Sequence, residues 1–153
     1  MGCDIHIAVQ ARDQTTGQWA DIPPEDLGQA PLGDELRWQP NYGNDGRSAR
    51  CPKPDVRDYR VFSWLCGVRA QFNHDGEIGG RGYPDGVTSP FDLCEADIHS
   101  RTHATAAELL ELPWDAVGLG DASMLRWLRH PVFGALLERH GAGNLRLVFG
   151  FDN

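Results

Sequence analysis

Lysine is almost missing from this chain. Of fourteen basic residues only Lys53 is a lysine, which leaves thirteen arginines. Arginine carries a planar fork suited to phosphate or carboxylate, where lysine offers a point charge; an arginine-rich base composition of the gene produces the same bias. Positive charge is scarce overall. The net charge is -8 and the pI is about 5.1. That balance excludes broad nucleic-acid binding, which needs a basic footprint, and docking on anionic lipid. No apolar run reaches the roughly 18 residues of a membrane span, and no secretory leader is expected ahead of the first strand. The cysteines, Cys3, Cys51, Cys66 and Cys94, form no C-x-x-C pair and no zinc-ribbon spacing. Reduced thiols in a cytoplasmic protein are expected. No P-loop and no G-x-G-x-x-G after a strand occurs. Phosphate recognition would therefore fall to side chains and scattered amides. There is no internal repeat.

What is present fits one globular domain over residues 1–153. Eighteen glycines and ten prolines imply much loop. Residues 3–12 alternate as a strand, with Ile5, Ile7 and Val9 on one face and Asp4 and His6 on the other. The turn DQTTGQ (13–18) returns the chain into QWADI (18–22) as a hairpin. Residues 23–56, rich in Pro, Gly and Asn, read as a long loop or lid. Residues 57–72 predict a helix from Val61, Leu65, Val68 and Phe72, with Asp58 as N-cap and Arg69 in its last turns. Residues 73–90 form a second loop. Thr105 and Glu108 make a capping box for a helix that stops before Pro113. Residues 121–141 predict a helix re-started at Pro131 and ended by Gly141. Leu145, Leu147, Phe149 and Phe151 alternate as a last strand. The expected class is α+β: a small, mainly antiparallel sheet from the N-terminal hairpin and C-terminal strand, covered by helices, with long Gly/Pro-rich loops.

Three islands carry candidate chemistry. Asp4 and His6, with Asp152, line the polar face or edge of the expected sheet. In RGYPD (81–85), Gly82 admits close backbone approach and Pro84 stiffens the turn. Arg81 can fork onto phosphate, Tyr83 can stack on a base, and Asp85 can accept from a hydroxyl or amine. The bland alternative is a structural turn in which Arg81 pairs with an acid. In HSRTHAT (99–105), His99 and His103 stand four apart, but the Thr105 cap puts both ahead of the helix. HAT (103–105) is a lone H-x-T triplet, where a two-histidine phosphoesterase needs a pair. DIH (4–6) resembles the D-x-H of binuclear metallophosphoesterases, and FNHDG (72–76) their Asn-His-acid element. The GD at 120–121 comes in the wrong order, however, and the closing G-H-x-H is missing.

Read together, MGCDIH (1–6), DYRVFSWLCGVR (58–69), RGYPD (81–85), DIHSRTHATAAEL (97–109) and RLVFGFDN (146–153) resemble an uncharacterised group of short phage-encoded proteins that begin MGCDIH and end in an aromatic-FDN tail. The match carries over Asp4, His6, Tyr59, Arg69, Arg81, Pro84, Asp85, His99, Ser100 and Asp152. It departs at Thr88–Ser89, in a longer loop, and at His103, where the group has an aromatic. His6 also replaces the Ser or Thr that acylation after MGC requires. The resemblance implies a phage accessory protein acting in the host cytoplasm on host metabolism or defence signals.

The expected function is capture of a nucleotide-like or phosphorylated small molecule without turnover or cofactor. The expected ligand-binding residues are Asp4, His6, Tyr59, Arg69, Arg81, Tyr83, Asp85, His99 and Ser100. They are expected to converge on one site, where the DIH face, the RGYPD loop and the His99–Ser100 turn meet. The alternative is a phosphoesterase with one divalent metal on Asp4, His6 and His99. A third reading, an acidic inhibitor of a partner protein, is disfavoured because the charge is interspersed. No nucleic-acid or membrane partner is expected, and homo-oligomerisation is left open.

Overall fold

The computed structural model describes residues 4–22, 36–42, 48–54, 59–70, 76–84 and 99–152. Its strands are β1 (Asp4–Arg12), β2 (Trp19–Asp21), β3 (Leu36–Tyr42), β4 (Ser48–Pro54), β5 (His99–Thr105) and β6 (Leu145–Asp152). Its helices are α1 (Tyr59–Cys66), α2 (Ala106–Glu111), α3 (Ser123–Leu128) and α4 (Pro131–His140). Four strands make an antiparallel sheet in the order β2-β1-β6-β5, and β3 and β4 pair as a separate ribbon. The fold is α+β. Among the described residues no helix is long and apolar enough to cross a membrane.

The sheet's centre follows from alternation. Ile7 and Val9 of β1 and Leu147, Phe149 and Phe151 of β6 share one face and are buried in the main core. From α1, Phe62 meets Phe149 and Phe151 edge-on, with ring centroids 6.3 and 5.6 Å away. Such pairs add to the roughly 1.5–3 kcal/mol gained by burying each large apolar side chain. Below them Trp64 packs edge-on against Trp114 at 5.0 Å, and the Trp114 indole N–H donates to Leu109 O at 2.8 Å. Cys66 belongs to this core. Burial pushes its thiol far above the ordinary value, so it is a protonated packing group and not a nucleophile.

The capping box of α2 forms as the sequence specifies. The Thr105 hydroxyl accepts from Glu108 N at 3.2 Å, and Glu108 Oε2 accepts from Thr105 N at 2.8 Å. Thr105→Ala is therefore expected to cost about 1 kcal/mol, read from urea denaturation. Pro131 does separate two helices, and Gly141, at φ 84°, ends the second with its N–H on Leu137 O.

Three expectations are corrected. The helix expected over 57–72 ends at Cys66, because Gly67 adopts φ 69° and returns its N–H to Ser63 O at 3.0 Å. Arg69 thus lies in a short 3-10 turn at φ 60°, outside the helix whose dipole it was expected to complement. Asp58 and Phe72 fall outside the described residues. Secondly, His99–Thr105 is a full edge strand, with a bulge between His99 and Thr102 and Ser100 at φ 50°. Thirdly, part of the expected loop at 23–56 is the β3–β4 ribbon. A two-stranded ribbon has a free edge on both sides, so its prolines do not exclude pairing.

Candidate functional site

The segment 76–84 ties the end of α1 to the outer edge of β5. Glu77 N and Ile78 N donate to Trp64 O and Leu65 O at 3.0 and 2.8 Å, satisfying carbonyls that the helix end leaves open. The Thr102 hydroxyl donates to Ile78 O, and Gly82 N donates to Arg101 O at 3.0 Å. Backbone pairing here covers what would be a bare strand edge. Arg81 and Tyr83 are thereby set beside β5.

Arg81 Nη1 donates to His103 O at 3.2 Å and to Glu108 Oε1 at 3.0 Å. The ion pair expected in the bland reading of RGYPD is thus present, and it ties the loop to the α2 cap. Arg81 Nε and Nη2 make no further bond among the described residues. Tyr83 roofs Ala8 and Val148, which are fully buried on the sheet face opposite the main core. Arg101 stacks on Tyr83, its Cζ 4.9 Å from the ring centroid.

On the same face Arg146 of β6 is almost wholly buried. Its Nε donates to Gln10 Oε1 at 2.9 Å, and its Cζ lies 4.3 Å from the Trp19 ring centroid. Gln10 and Arg146 are cross-strand partners, so the sheet register itself orients the guanidinium. His103, opposite Val148, places Nδ1 3.0 Å from Gly82 O. Together Trp19, Arg81, Tyr83, Pro84, His103 and Arg146 line a pocket of about 400 Å³. Its size lies within the range of small-ligand sites, about 300–1,000 Å³. Two guanidiniums and an imidazole suit an anion, and two aromatic rings suit a planar group.

Glu108 holds this wall together and is pH-sensitive. Burial raises its pKa, but hydrogen bonds from Thr105 N–H, the Thr105 hydroxyl and Arg81, with the Arg81 charge, outweigh burial and hold it below the usual carboxylate value. A depressed folded pKa stabilises above the unfolded value, about 4.3, and that contribution disappears as pH falls through the folded value. The α2 cap and the Arg81 link are therefore expected to loosen as pH falls below the usual carboxylate range. The acid limb of an unfolding-versus-pH curve should be shallower in Glu108→Gln.

The structure brings Arg81 and Tyr83 together at this pocket and leaves Tyr59, Arg69, His99 and Ser100 outside its lining. His99, with Nδ1 3.0 Å from Ser100 Oγ, has its ring 6.2 Å from that of Phe151, on the helix-covered face. It sits four residues down β5 from His103, so it does not join Arg81. Tyr59 and Arg69 stack on one another, Cζ to centroid 4.7 Å. Backbone register sets Asp4 opposite Asp152 and His6 opposite Gly150. The side chains of Asp4, His6 and Asp152, and all of Asp85, lie outside the described residues. Among the described residues no group of three or more His, Cys, Asp or Glu side chains could hold a metal ion.

Trp19, His103 and Arg146 were not expected in the site. Their signal was available in the strand period: Arg146 is a charge set among alternating apolar residues, and parity puts it with Val148 and Gln10. Comparison with protein-family models, curated proteins and solved structures gave no match to this chain.

Proposed function

We propose that the protein captures, without turnover, a small phosphorylated molecule bearing a planar ring, such as a nucleoside monophosphate. One observation carries this reading: the pocket where Arg81, Arg146 and His103 share walls with Trp19 and Tyr83. The chain's net charge of -8 supports it. A locally cationic pocket in an acidic molecule attracts a small anion, while the surrounding charge repels a polyanion. The resemblance to phage proteins supports a setting: sequestration of a nucleotide-type host-defence signal in the host cytoplasm.

Titration calorimetry with adenosine 5′-monophosphate (AMP), adenosine and inorganic phosphate tests the reading. AMP is expected to bind, and each half alone to bind at least about tenfold more weakly, a difference of 1.4 kcal/mol. Binding should survive a chelator, and AMP should be recovered unchanged. A second reading, a metal-dependent phosphoesterase, draws on the register that sets Asp4 beside Asp152. Metal-dependent release of adenosine with turnover would establish that reading and overturn capture.

A further inference from the structure

Resting on the capture reading, we infer that His103 holds the ligand's phosphate through Nε2 and that capture takes up a proton. The tautomer is fixed by the loop. Gly82 is anchored by its own N–H on Arg101 O, and its carbonyl faces His103 Nδ1 at 3.0 Å. A carbonyl oxygen only accepts, so Nδ1 carries the hydrogen and Nε2 of the neutral ring carries a lone pair. Nε2 has no partner among the described residues, and His103 lines the pocket.

A phosphate dianion also presents only lone pairs. Two lone pairs repel, so contact between Nε2 and a phosphate oxygen requires one proton between them. It comes from solvent, and it resides on the ring or on the phosphate with the same overall composition. A phosphomonoester loses its second proton near pH 6, and imidazole changes charge between about pH 5 and 8. At about pH 8 a free phosphomonoester and a free imidazole both lack the proton that such a contact needs.

The described charged groups around His103 do not share this dependence. They are Arg81 from the loop, Arg101 on the same strand, Arg146 from β6, and Glu108 of α2, paired with Arg81. Arginines stay charged, and Glu108 titrates below the usual carboxylate value. Among the described groups, a pH effect near neutrality is therefore left to the contact between His103 and the ligand phosphate. The site consequently favours phosphate ligands under mildly acidic conditions.

The probe is AMP, titrated into the full chain at about pH 8 in buffers of different ionisation heat. The expected uptake is close to one proton per AMP, and Kd should rise about tenfold from pH 7.5 to 8.5. His103→Gln retains an N–H donor with no titrating proton, so its binding should show no uptake and little pH dependence. In the unsubstituted protein, AMP should also move the nitrogen-15 signal of His103 Nε2, a readout independent of the variant's folding. AMP binding without proton uptake, uptake that persists in His103→Gln, or an Nε2 signal that does not move would each overturn this inference while leaving capture standing. Absence of AMP binding to the unsubstituted protein would overturn both.

Discussion

Gly76→Ala is expected to cost roughly 2–6 kcal/mol, enough to unfold a large share of molecules in a domain of ordinary stability. Gly76 has φ 92°, a conformation that strains any residue with a Cβ. Space is also lacking. An added Cβ would lie 2.5 Å from Gly67 N and 2.5 Å from Leu65 O, both backbone atoms that cannot swing aside. The collision falls where Glu77 N and Ile78 N seal the end of α1. Relief would pull the loop off the helix and carry Arg81 and Tyr83 away from β5. Gly80 provides the control, since its φ is 74° but nothing stands within 4 Å of its Cβ position. Gly80→Ala should cost only the left-handed strain, about 1–2 kcal/mol. Urea midpoints at unchanged slope measure both. Equal losses would show that the close approach of Gly76 has no weight.

Arg146→Met is expected to weaken AMP binding by about 10–150-fold, equivalent to 1.5–3 kcal/mol for a lost hydrogen bond to a charged group. Methionine preserves much of the aliphatic stem, so packing between strands changes little. The guanidinium over Trp19 and its bond to Gln10 Oε1 are removed. Gln10 is itself buried, and an amide oxygen that loses a partner there costs about 1–3 kcal/mol of stability. The double variant Gln10→Met with Arg146→Met separates the two effects. Stability should recover in part, because both polar groups leave together, and AMP binding should stay weak. Full recovery of binding in the double variant would contradict a direct role for Arg146. Arg146→Lys should also bind poorly, because a point charge does not reproduce the flat fork on Trp19.

The parts of this fold that the sequence reveals are those governed by local rules. β1 and β6 show because Ile7, Val9, Leu147, Phe149 and Phe151 recur at every second position. α2 shows because Thr105 and Glu108 satisfy each other's backbone groups within four residues. The break before α4 shows because proline cannot continue a helix. β5 has no such signature. Only Thr102 and Ala104 are buried along it, and the bulge after His99 shifts the alternation. It is made a strand by β6, a non-local partner. The β3–β4 ribbon was hidden for a related reason: proline predicts a break locally, but pairing at two free edges permits it.

The site divides along the same line. Arg81 and Tyr83 were legible because Gly82 and Pro84 mark a shaped turn. His103 reads locally as a residue ahead of a helix. Its role follows only once β5 is known, since parity then puts it on the face of Val148 and Arg146. Trp19 and Arg146 are 127 residues apart in sequence and meet through the strand order β2-β1-β6. No spacing rule in the sequence joins them.

The most direct test of the capture account is a backbone and side-chain nitrogen-15 titration of the full chain with AMP. Shift changes should concentrate at the Trp19 indole, Gly82, His103 and Arg146, with little change at Arg69 and Ser100 on the remaining candidate positions. Changes centred on Arg69 and Ser100, or none at saturating AMP, would contradict it.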